Sequence, residues 1–496
     1  MNDTGDYLVA LGSGVALSFA FPEPDLWWLA WIAIAPLLLV ASGRSFRRGF
    51  LLGFVYGAAF FGTLLVWISI VGWVAWGVLV AVEALFIGLF GGLWAVVSSA
   101  HARPAVRVLA APVLWVAAES LRAVIPVGGF TWGQLAQSQH DLPWMLKPAA
   151  LGGGWTISFL VVALNAALLG AFRSARAGRW RVCAGSMAVV AASLVVPALV
   201  PAQDATGDGL RVAIVQGNVP RDFPGSFTDK ELAILGSHAR ETRALVGEGV
   251  DLVVWPESAV GLDIEREPAV ADAVATAARS VDAPMIVGGN LDADDAHYKV
   301  MAFEISAEGD VVDRYQKTHL VPFGEYVPAR SLLDWIPMLN QVPEDALPGG
   351  EGRVFDVAGG AVAPVISYEG DFGPLVRERI NSGGRLLVVA TNTSTWRRSW
   401  ASAQHVAFSK VRAAENGVWV VHAAISGISA FIQPDGRVAD SLPLWTTGSM
   451  VADVNLAEDV TWYARTGEWL PIGCGIVSVA LVVLSGRRKT GVSLRR

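Results

Sequence analysis

The first 202 residues hold seven apolar runs separated by short, often arginine-bearing loops, and an eighth run lies near the end of the chain. The runs fall roughly at 7–21, 26–42, 49–70, 72–98, 106–125, 155–172, 181–202 and 468–485. About 20 apolar residues carry a helix across a bilayer, so the pattern predicts about eight spans. The first is the shortest and is closed by Pro22 and Pro24. Only 16% of the 496 residues are charged and 53% are hydrophobic, against roughly 25% charged in soluble proteins. The first run does not read as a cleaved leader, because Asp3 and Asp6 precede it and no Lys or Arg does.

Arginine placement orients the spans. Arg44, Arg47 and Arg48 lie between the second and third, Arg103 and Arg107 between the fourth and fifth, and Arg173, Arg176, Arg179 and Arg181 between the sixth and seventh. Arg487, Arg488, Lys489, Arg495 and Arg496 follow the last. The positive-inside rule assigns all four groups to the cytoplasm. Both termini are then cytoplasmic, and the long segment between spans seven and eight is outside the cytoplasmic (inner) cell membrane. The expected organisation is a membrane domain over 1–205, a soluble domain over 208–455, a final transmembrane helix over 464–488 and a tail over 489–496. Glu83, Glu119 and Arg122 fall inside spans. Glu119 and Arg122 share a helix face and could pair, as a functional group or as a structural ion pair.

The soluble region alternates strand and helix patterns. Strands are predicted at Leu210–Gln216, Leu252–Trp255, Met285–Gly288, Val300–Ile305, Ala363–Ser367, Leu386–Ala390, Trp419–Ala423 and Ser429–Ile432, with helices such as Lys230–Leu245, Ala269–Ser280 and Ala401–Asn416 between several of them. Glu308-Gly309-Asp310 and Pro434-Asp435-Gly436 read as hairpin turns. The predicted fold is a polytopic α-helical membrane domain plus an α/β sandwich with helices outside. A net charge of −7 gives no electrostatic basis for nucleic-acid binding. Cys183 and Cys474 lie in apolar runs, far apart and without CxxC spacing, which suggests neither a disulfide framework nor a metal site. With no nucleotide-binding loop and no clustered metal ligands in the sequence, no cofactor is expected.

Three stretches carry candidate chemistry: Trp255-Pro256-Glu257-Ser258, the block from Lys317 through Glu325, and Pro364-Val365-Ile366-Ser367-Tyr368-Glu369. Attack on a carbonyl needs a nucleophile, a base and donors for the developing oxyanion. Glu257 follows an apolar lead-in whose burial would raise its pKa toward the range of a general base. Lys317 would stabilise the oxyanion, Ser367 stands at the nucleophile position, and a backbone N–H at Tyr368 or Glu369 would add a second donor. Singly, each has a plain alternative: a capping glutamate, a solvated lysine, a polar residue ending a strand. Their order and distinctive surroundings favour the joint role.

These stretches resemble the bacterial apolipoprotein N-acyltransferase family, membrane-bound members of the nitrilase superfamily. The resemblance extends to Leu17-Ser18-Phe19-Ala20-Phe21-Pro22, Ala35-Pro36-Leu37-Leu38, Gly129-Phe130-Thr131-Trp132-Gly133, Val215-Gln216-Gly217-Asn218-Val219-Pro220, Gln404-His405 and Arg412-Ala413-Ala414-Glu415-Asn416. It implies transfer of a fatty acyl chain from a phospholipid to the α-amino group of an N-terminal S-diacylglyceryl cysteine in an apolipoprotein, through an acyl-enzyme. It also implies that Glu325, Tyr368 and Glu369 are accessory site residues. The family nucleophile is cysteine, and Ser367 occupies that position here. Lys299, Thr393 and His422 also depart from the family pattern, which commonly has Asn, Asp and Arg there. Four readings stay open: an N-acyltransferase using Ser367, a relative that binds phospholipid or lipoprotein without turnover, a cysteine-to-serine trap, and an amidase with water as acceptor.

Overall fold

A computed structural model describes residues 3–100, 103–333, 335, 339–340 and 342–493. Arg495 and Arg496, assigned above to the cytoplasmic tail, lie outside the described residues. The chain forms two compact units, Met1–Ala202 with Thr466–Arg496, and Gln203–Arg465.

The first unit is helical. Among the described residues, Trp73–Ser99, Pro104–Arg122, Gly154–Arg176 and Trp180–Leu199 are each long and apolar enough to cross a membrane. Asp3–Ser18, Phe46–Leu64 and Trp469–Ser493 add further helices. Helices Phe46–Leu64 and Trp73–Ala100 approach closely along Gly49, Gly53 and Gly57. A Cβ on Gly53 would meet the Ile87 carbonyl oxygen at 2.3 Å, and one on Gly49 the Gly91 oxygen at 2.4 Å. Small residues at every fourth position thus let the two backbones pack without lipid between them.

The second apolar run is not one helix. It divides into a 3₁₀ turn, Trp27–Trp31, and a short helix, Ala35–Ala41. Buried Asn165 holds the break: its Oδ1 accepts from the amides of Ile34 and Ala35 at 3.0 Å each, and its Nδ2 donates to the Ala30 carbonyl at 2.8 Å. A side chain 131 positions away in sequence therefore satisfies backbone groups that a continuous helix would have paired internally.

Arg122 does not pair with Glu119. Its Nη1 lies 2.9 Å from Glu83 Oε2 and donates to the carbonyls of Phe130 and Trp132 at 2.8 and 2.7 Å. Glu119 instead accepts from the Leu135 amide at 2.9 Å and from the Trp115 indole at 3.3 Å. Both side chains pin the Phe130–Leu135 loop to the helices, which is a structural role.

The second unit is a four-layer α/β sandwich. One sheet contains β1 (Gly209–Gln216), β2 (Leu252–Val260), β3 (Met285–Asp294), β4 (His297–Ile305), β5 (Val311–Gln316), β6 (Asp345–Ala346) and β13 (Gly448–Asn455). The other contains β7 (Phe355–Val357), β8 (Gly360–Ile366), β9 (Leu386–Thr391), β10 (Val420–Ala424), β11 (Ser429–Ile432) and β12 (Val438–Leu442). Their orders among the described residues are β13-β1-β2-β3-β4-β5, with β6 on β4, and β12-β11-β10-β9-β8-β7. Each sheet has three parallel strands at its centre, β1-β2-β3 and β8-β9-β10, flanked by antiparallel neighbours.

Alternation explains the layers. Val212, Ile214, Val254 and Ile286 of the first sheet meet Ile366, Val388 and Val421 of the second in one buried layer. Their neighbours Ala213, Val253 and Val287 face helices Phe227–Arg243 and Pro268–Val281. Val365, Leu387 and Val389 face helices Gly373–Asn381 and Ala401–Asn416. The unit continues past the expected boundary at 455, because Ala457 bonds to Arg385 and Thr461 to Glu415 through backbone carbonyls.

Candidate active site

The parallel strands end on one side, and the candidate residues gather there. Glu257 lies inside β2, within the register shift between Trp255 and Val260. Lys317 immediately follows β5, Ser367 follows β8 and Asn392 follows β9. Carboxyl ends of parallel strands are the usual place for a ligand crevice in α/β sheets. Gly288 of β3 supports Glu257 from below: a Cβ there would fall 2.3 Å from the Pro256 oxygen and 2.7 Å from the Glu257 Cα.

Lys317 Nζ, fully buried, donates to Glu257 Oε1 at 3.1 Å and to Glu325 Oε1 at 2.5 Å. The remaining oxygens are also occupied. Glu257 Oε2 accepts from the Asn392 amide at 2.8 Å, and Glu325 Oε2 from the Val321 amide at 2.7 Å. The Ser367 side chain also faces the Glu257 carboxyl and favours its charged form. Burial pushes the Glu257 carboxyl up; Lys317 opposes that shift and Glu325 adds to it. Burial works against the Lys317 ammonium, but Glu257 and Glu325 outweigh it and hold the group above the ordinary lysine value.

Ser367 has φ +50°, a left-handed conformation, at the turn from β8 into the short 3₁₀ segment Ser367–Asp371. Such a backbone costs on the order of 1–3 kcal/mol for a residue with a Cβ, and it projects the side chain out of the strand's direction. A second polar chain reaches the same hydroxyl. Thr391 Oγ1 donates to Ser367 Oγ at 3.2 Å, and His405 Nδ1 lies 3.4 Å from Thr391 Oγ1. His405 Nε2 lies 3.3 Å from Asp371 Oδ1, and the ring also bonds to the Ser367 carbonyl.

Burial disfavours the charged form of the His405 ring, and Asp371 beside it reverses the effect and raises the group. Burial in turn pushes the Asp371 carboxyl up. The sequence singled out His405 only as part of a resemblance, and it gave no sign of Thr391 or Asp371, which lie 14 and 34 positions away in the chain.

Glu369 is completely buried and accepts five hydrogen bonds. Its Oε1 takes the Tyr315 hydroxyl at 2.6 Å, the Thr318 amide and hydroxyl at 2.8 and 2.9 Å, and the His319 amide at 3.1 Å. Its Oε2 takes the Ile366 amide at 2.8 Å. Glu369 thus ties the loop after Lys317 to the strand before Ser367. Tyr368 joins His319 and Phe372 in an aromatic cluster, with ring centroids 4.2–5.5 Å apart.

Two of the departures noted in the sequence are satisfied locally. Thr393 Oγ1 lies 2.8 Å from Ser402 Oγ, and His422 Nδ1 lies 2.8 Å from Ser409 Oγ, with its ring 5.0 Å from that of His405. In the helical unit, Asp25, His140 and Asp141 bring ligand-type atoms within 4.8 Å of one another. His140 meets the two carboxylates with opposite ring nitrogens, Nε2 to Asp25 at 3.1 Å and Nδ1 to Asp141 at 3.2 Å. His140 thus presents a different ring nitrogen to each carboxylate.

Residues 13–167 match the family described as apolipoprotein N-acyltransferase N-terminal domain, and residues 211–463 match carbon-nitrogen hydrolase. An apolipoprotein N-acyltransferase of Geobacter metallireducens is 34% identical, over 98% of this chain and 96% of its own. A Mycolicibacterium smegmatis protein of the same name is 33% identical, over 96% and 84%. One from Gloeobacter violaceus is 29% identical, over 99% and 95%. Among solved structures, an amidase from Nesterenkonia sp. aligns with 53% of this chain and 94% of its own, at 17% identity and a TM-score of 0.38. With identity of this level along nearly its whole length, the chain belongs to the apolipoprotein N-acyltransferase family, membrane proteins that carry a carbon–nitrogen hydrolase domain.

Proposed function

We propose that this protein is an apolipoprotein N-acyltransferase that uses Ser367 as its nucleophile, a phospholipid as acyl donor, and the α-amino group of an S-diacylglyceryl cysteine at a lipoprotein N-terminus as acceptor. The observation that carries the proposal is the placement of Ser367 Oγ between the Glu257 carboxylate and the Thr391 hydroxyl, with Lys317 bonded to Glu257.

In the first step the Ser367 oxygen attacks the ester carbonyl while its proton passes to Glu257. Lys317 and a backbone N–H at Tyr368 stabilise the oxyanion. Collapse expels the lysophospholipid alkoxide, which takes the proton back from Glu257. In the second step the lipoprotein amine attacks the acyl-serine, Glu257 accepts the amine's proton, and that proton returns to the Ser367 oxygen as it leaves.

A hydroxyl needs more help than a thiol, whose pKa is about 8.5. The Asp371–His405–Thr391 chain supplies it: donation into Ser367 Oγ directs the serine's own hydrogen toward Glu257 and offsets the charge that develops on the oxygen. In this proposal Glu325 and Glu369 act by positioning, Glu325 on Lys317 and Glu369 on the loop behind it. The arginine clusters support an orientation with those loops in the cytoplasm and Gln203–Arg465 outside.

The test uses full-length protein in detergent, a phospholipid and a synthetic diacylated lipopeptide with a free N-terminus, followed by mass spectrometry. Wild type is expected to add one acyl mass to the lipopeptide, and Ser367→Ala to add none. Product from Ser367→Cys but not from wild type would overturn serine as a working nucleophile. Product from neither would favour a lipid-binding relative without turnover.

A further inference from the structure

Independently of the chemistry at Ser367, the helical unit carries a second site. Arg107, Arg173 and Arg179 line one cavity of about 100 Å³ between helices Pro104–Arg122 and Gly154–Arg176, together with Trp94, Leu38 and Ser174. Three guanidiniums around one small cavity call for an anion.

The protein does not supply that anion to two of them. Elsewhere on the same end of the unit it does: Arg44 pairs with Asp6 at 2.7 Å, and Arg48 with Asp3 at 3.1 Å. Arg173 meets only neutral oxygens, donating to Ser42 Oγ and to the Leu39 carbonyl at 3.3 Å each, and no described carboxylate pairs with Arg173 or Arg179. Nine arginines between residues 44 and 181 fall in the connections at this end or in the helix turns beside them (44, 47, 48, 103, 107, 173, 176, 179 and 181), and Asp3 and Asp6 pair with Arg48 and Arg44.

The cavity also adjoins apolar surface. Leu169 lines both it and a neighbouring open groove of about 270 Å³ formed with Ile32, Pro36, Leu39, Leu168 and Phe172. The Arg173–Leu39 bond lies at the seam between the two. Ile32, Leu39 and Phe172 are 46%, 39% and 52% exposed, as side chains facing lipid would be. A soluble phosphate would use the arginines and leave this groove empty; a lipid with a negative headgroup uses both.

We propose that this cavity and groove bind one anionic phospholipid from the leaflet on the arginine side, its phosphodiester on Arg107, Arg173 and Arg179 and an acyl chain along Leu39, Leu168 and Phe172. Basic pockets between transmembrane helices are suited to such headgroups, with about 1 kcal/mol per cation near the surface, and guanidiniums bind phosphate oxygens in pairs.

The experiment is native mass spectrometry of the full-length protein in mild detergent. Dioleoyl phosphatidylglycerol, dioleoyl phosphatidylcholine and inorganic phosphate are titrated separately. The phosphatidylglycerol adduct is expected to be retained in preference to phosphatidylcholine. Arg173→Gln and Arg179→Gln should each weaken it about fivefold, whereas Arg47→Gln, exposed and outside both cavity and groove, should not. Arg179 is exposed, so its variant tests the site even if Arg173→Gln folds poorly. Phe172→Ser should weaken the lipid and leave phosphate binding unchanged. Equal retention of the two lipids, or unchanged affinity in Arg179→Gln, would overturn the site. Phosphate that binds as tightly as phosphatidylglycerol would show that the anion alone, and not the lipid, is what the arginines recognise.

Discussion

The Thr391 hydroxyl donates to Ser367 Oγ across 3.2 Å, so the residue that ends β9 determines which way the hydroxyl at the end of β8 points. Removing one such hydrogen bond is worth up to roughly tenfold in rate. Thr391→Val, nearly the same size, is therefore expected to lower kcat about tenfold with little change in KM. Thr391→Ser should restore most of it. Steady-state kinetics on the diacylated lipopeptide check this, and equal activity in Thr391→Val would remove the chain from the mechanism.

Lys317 lies between Glu257 and Glu325 with no exposure to solvent. Lys317→Met should lower acyl-enzyme formation at least about a hundredfold. It should also destabilise the fold by about 3–5 kcal/mol, because two buried carboxylates lose their counter-charge. Adding Glu325→Gln should recover part of the stability and none of the rate. Recovery of both in the double variant would make Lys317 a structural residue only.

The pH profile follows from Glu257. Its carboxyl is raised by burial, so it holds its proton at pH values where an ordinary glutamate, near 4.3, has lost it. A protonated Glu257 cannot take the Ser367 proton. Acyl-enzyme formation should rise with pH through an apparent pKa above about 4.3 and then level off. Lys317 is held up, so its ionisation adds no alkaline limb below about pH 10. Single-turnover rates from pH 4 to 9 test both limbs. A profile already flat at pH 4, or a fall near neutrality that Lys317→Arg abolishes, would contradict the assignment.

His238 gives a separate prediction about stability. Its Nε2 accepts from the Gly217 amide at 3.1 Å and Nδ1 donates to the Ile234 carbonyl at 2.8 Å, against the Trp255 ring at 5.4 Å. Burial lowers it to about 4. An unfolded histidine titrates near 6.5, so the neutral ring's contribution is complete above about pH 6.5 and is lost as pH falls toward 4. Its total is on the order of 3 kcal/mol. Thermal unfolding of Gln203–Arg465 within the full chain should show a steeper decline between pH 7 and 4.5 in wild type than in His238→Gln. Parallel declines would assign the acid sensitivity to other groups.

Much of the architecture was legible because burial writes it into composition. β1, β2, β3, β8 and β9 are runs of Val, Ile and Leu covered on both faces, and each was recognisable. β12 was not: four of its five residues are exposed, and Val438-Ala439-Asp440-Ser441 carries no apolar run. The break at Ile34 depends on Asn165, and the partner of Arg122 is on another helix, so neither was readable from local spacing. At the site, Glu257, Lys317 and Ser367 stood out as strand-end polar residues in unusual surroundings. Thr391 reads as one more β-branched strand residue, and Asp371 as a turn former. Their meaning appears only when the turn after Ser367 and the helix Ala401–Asn416 bring them together.

The left-handed backbone at Ser367 restricts which side chains can act there. A β-branched residue is strongly disfavoured at positive φ, so threonine is excluded as a substitute nucleophile even though its hydroxyl is chemically equivalent. Of the small nucleophilic side chains, serine and cysteine remain, and both fit the same turn. Within this family, exchanging one for the other changes the reacting element without rebuilding the backbone beneath it.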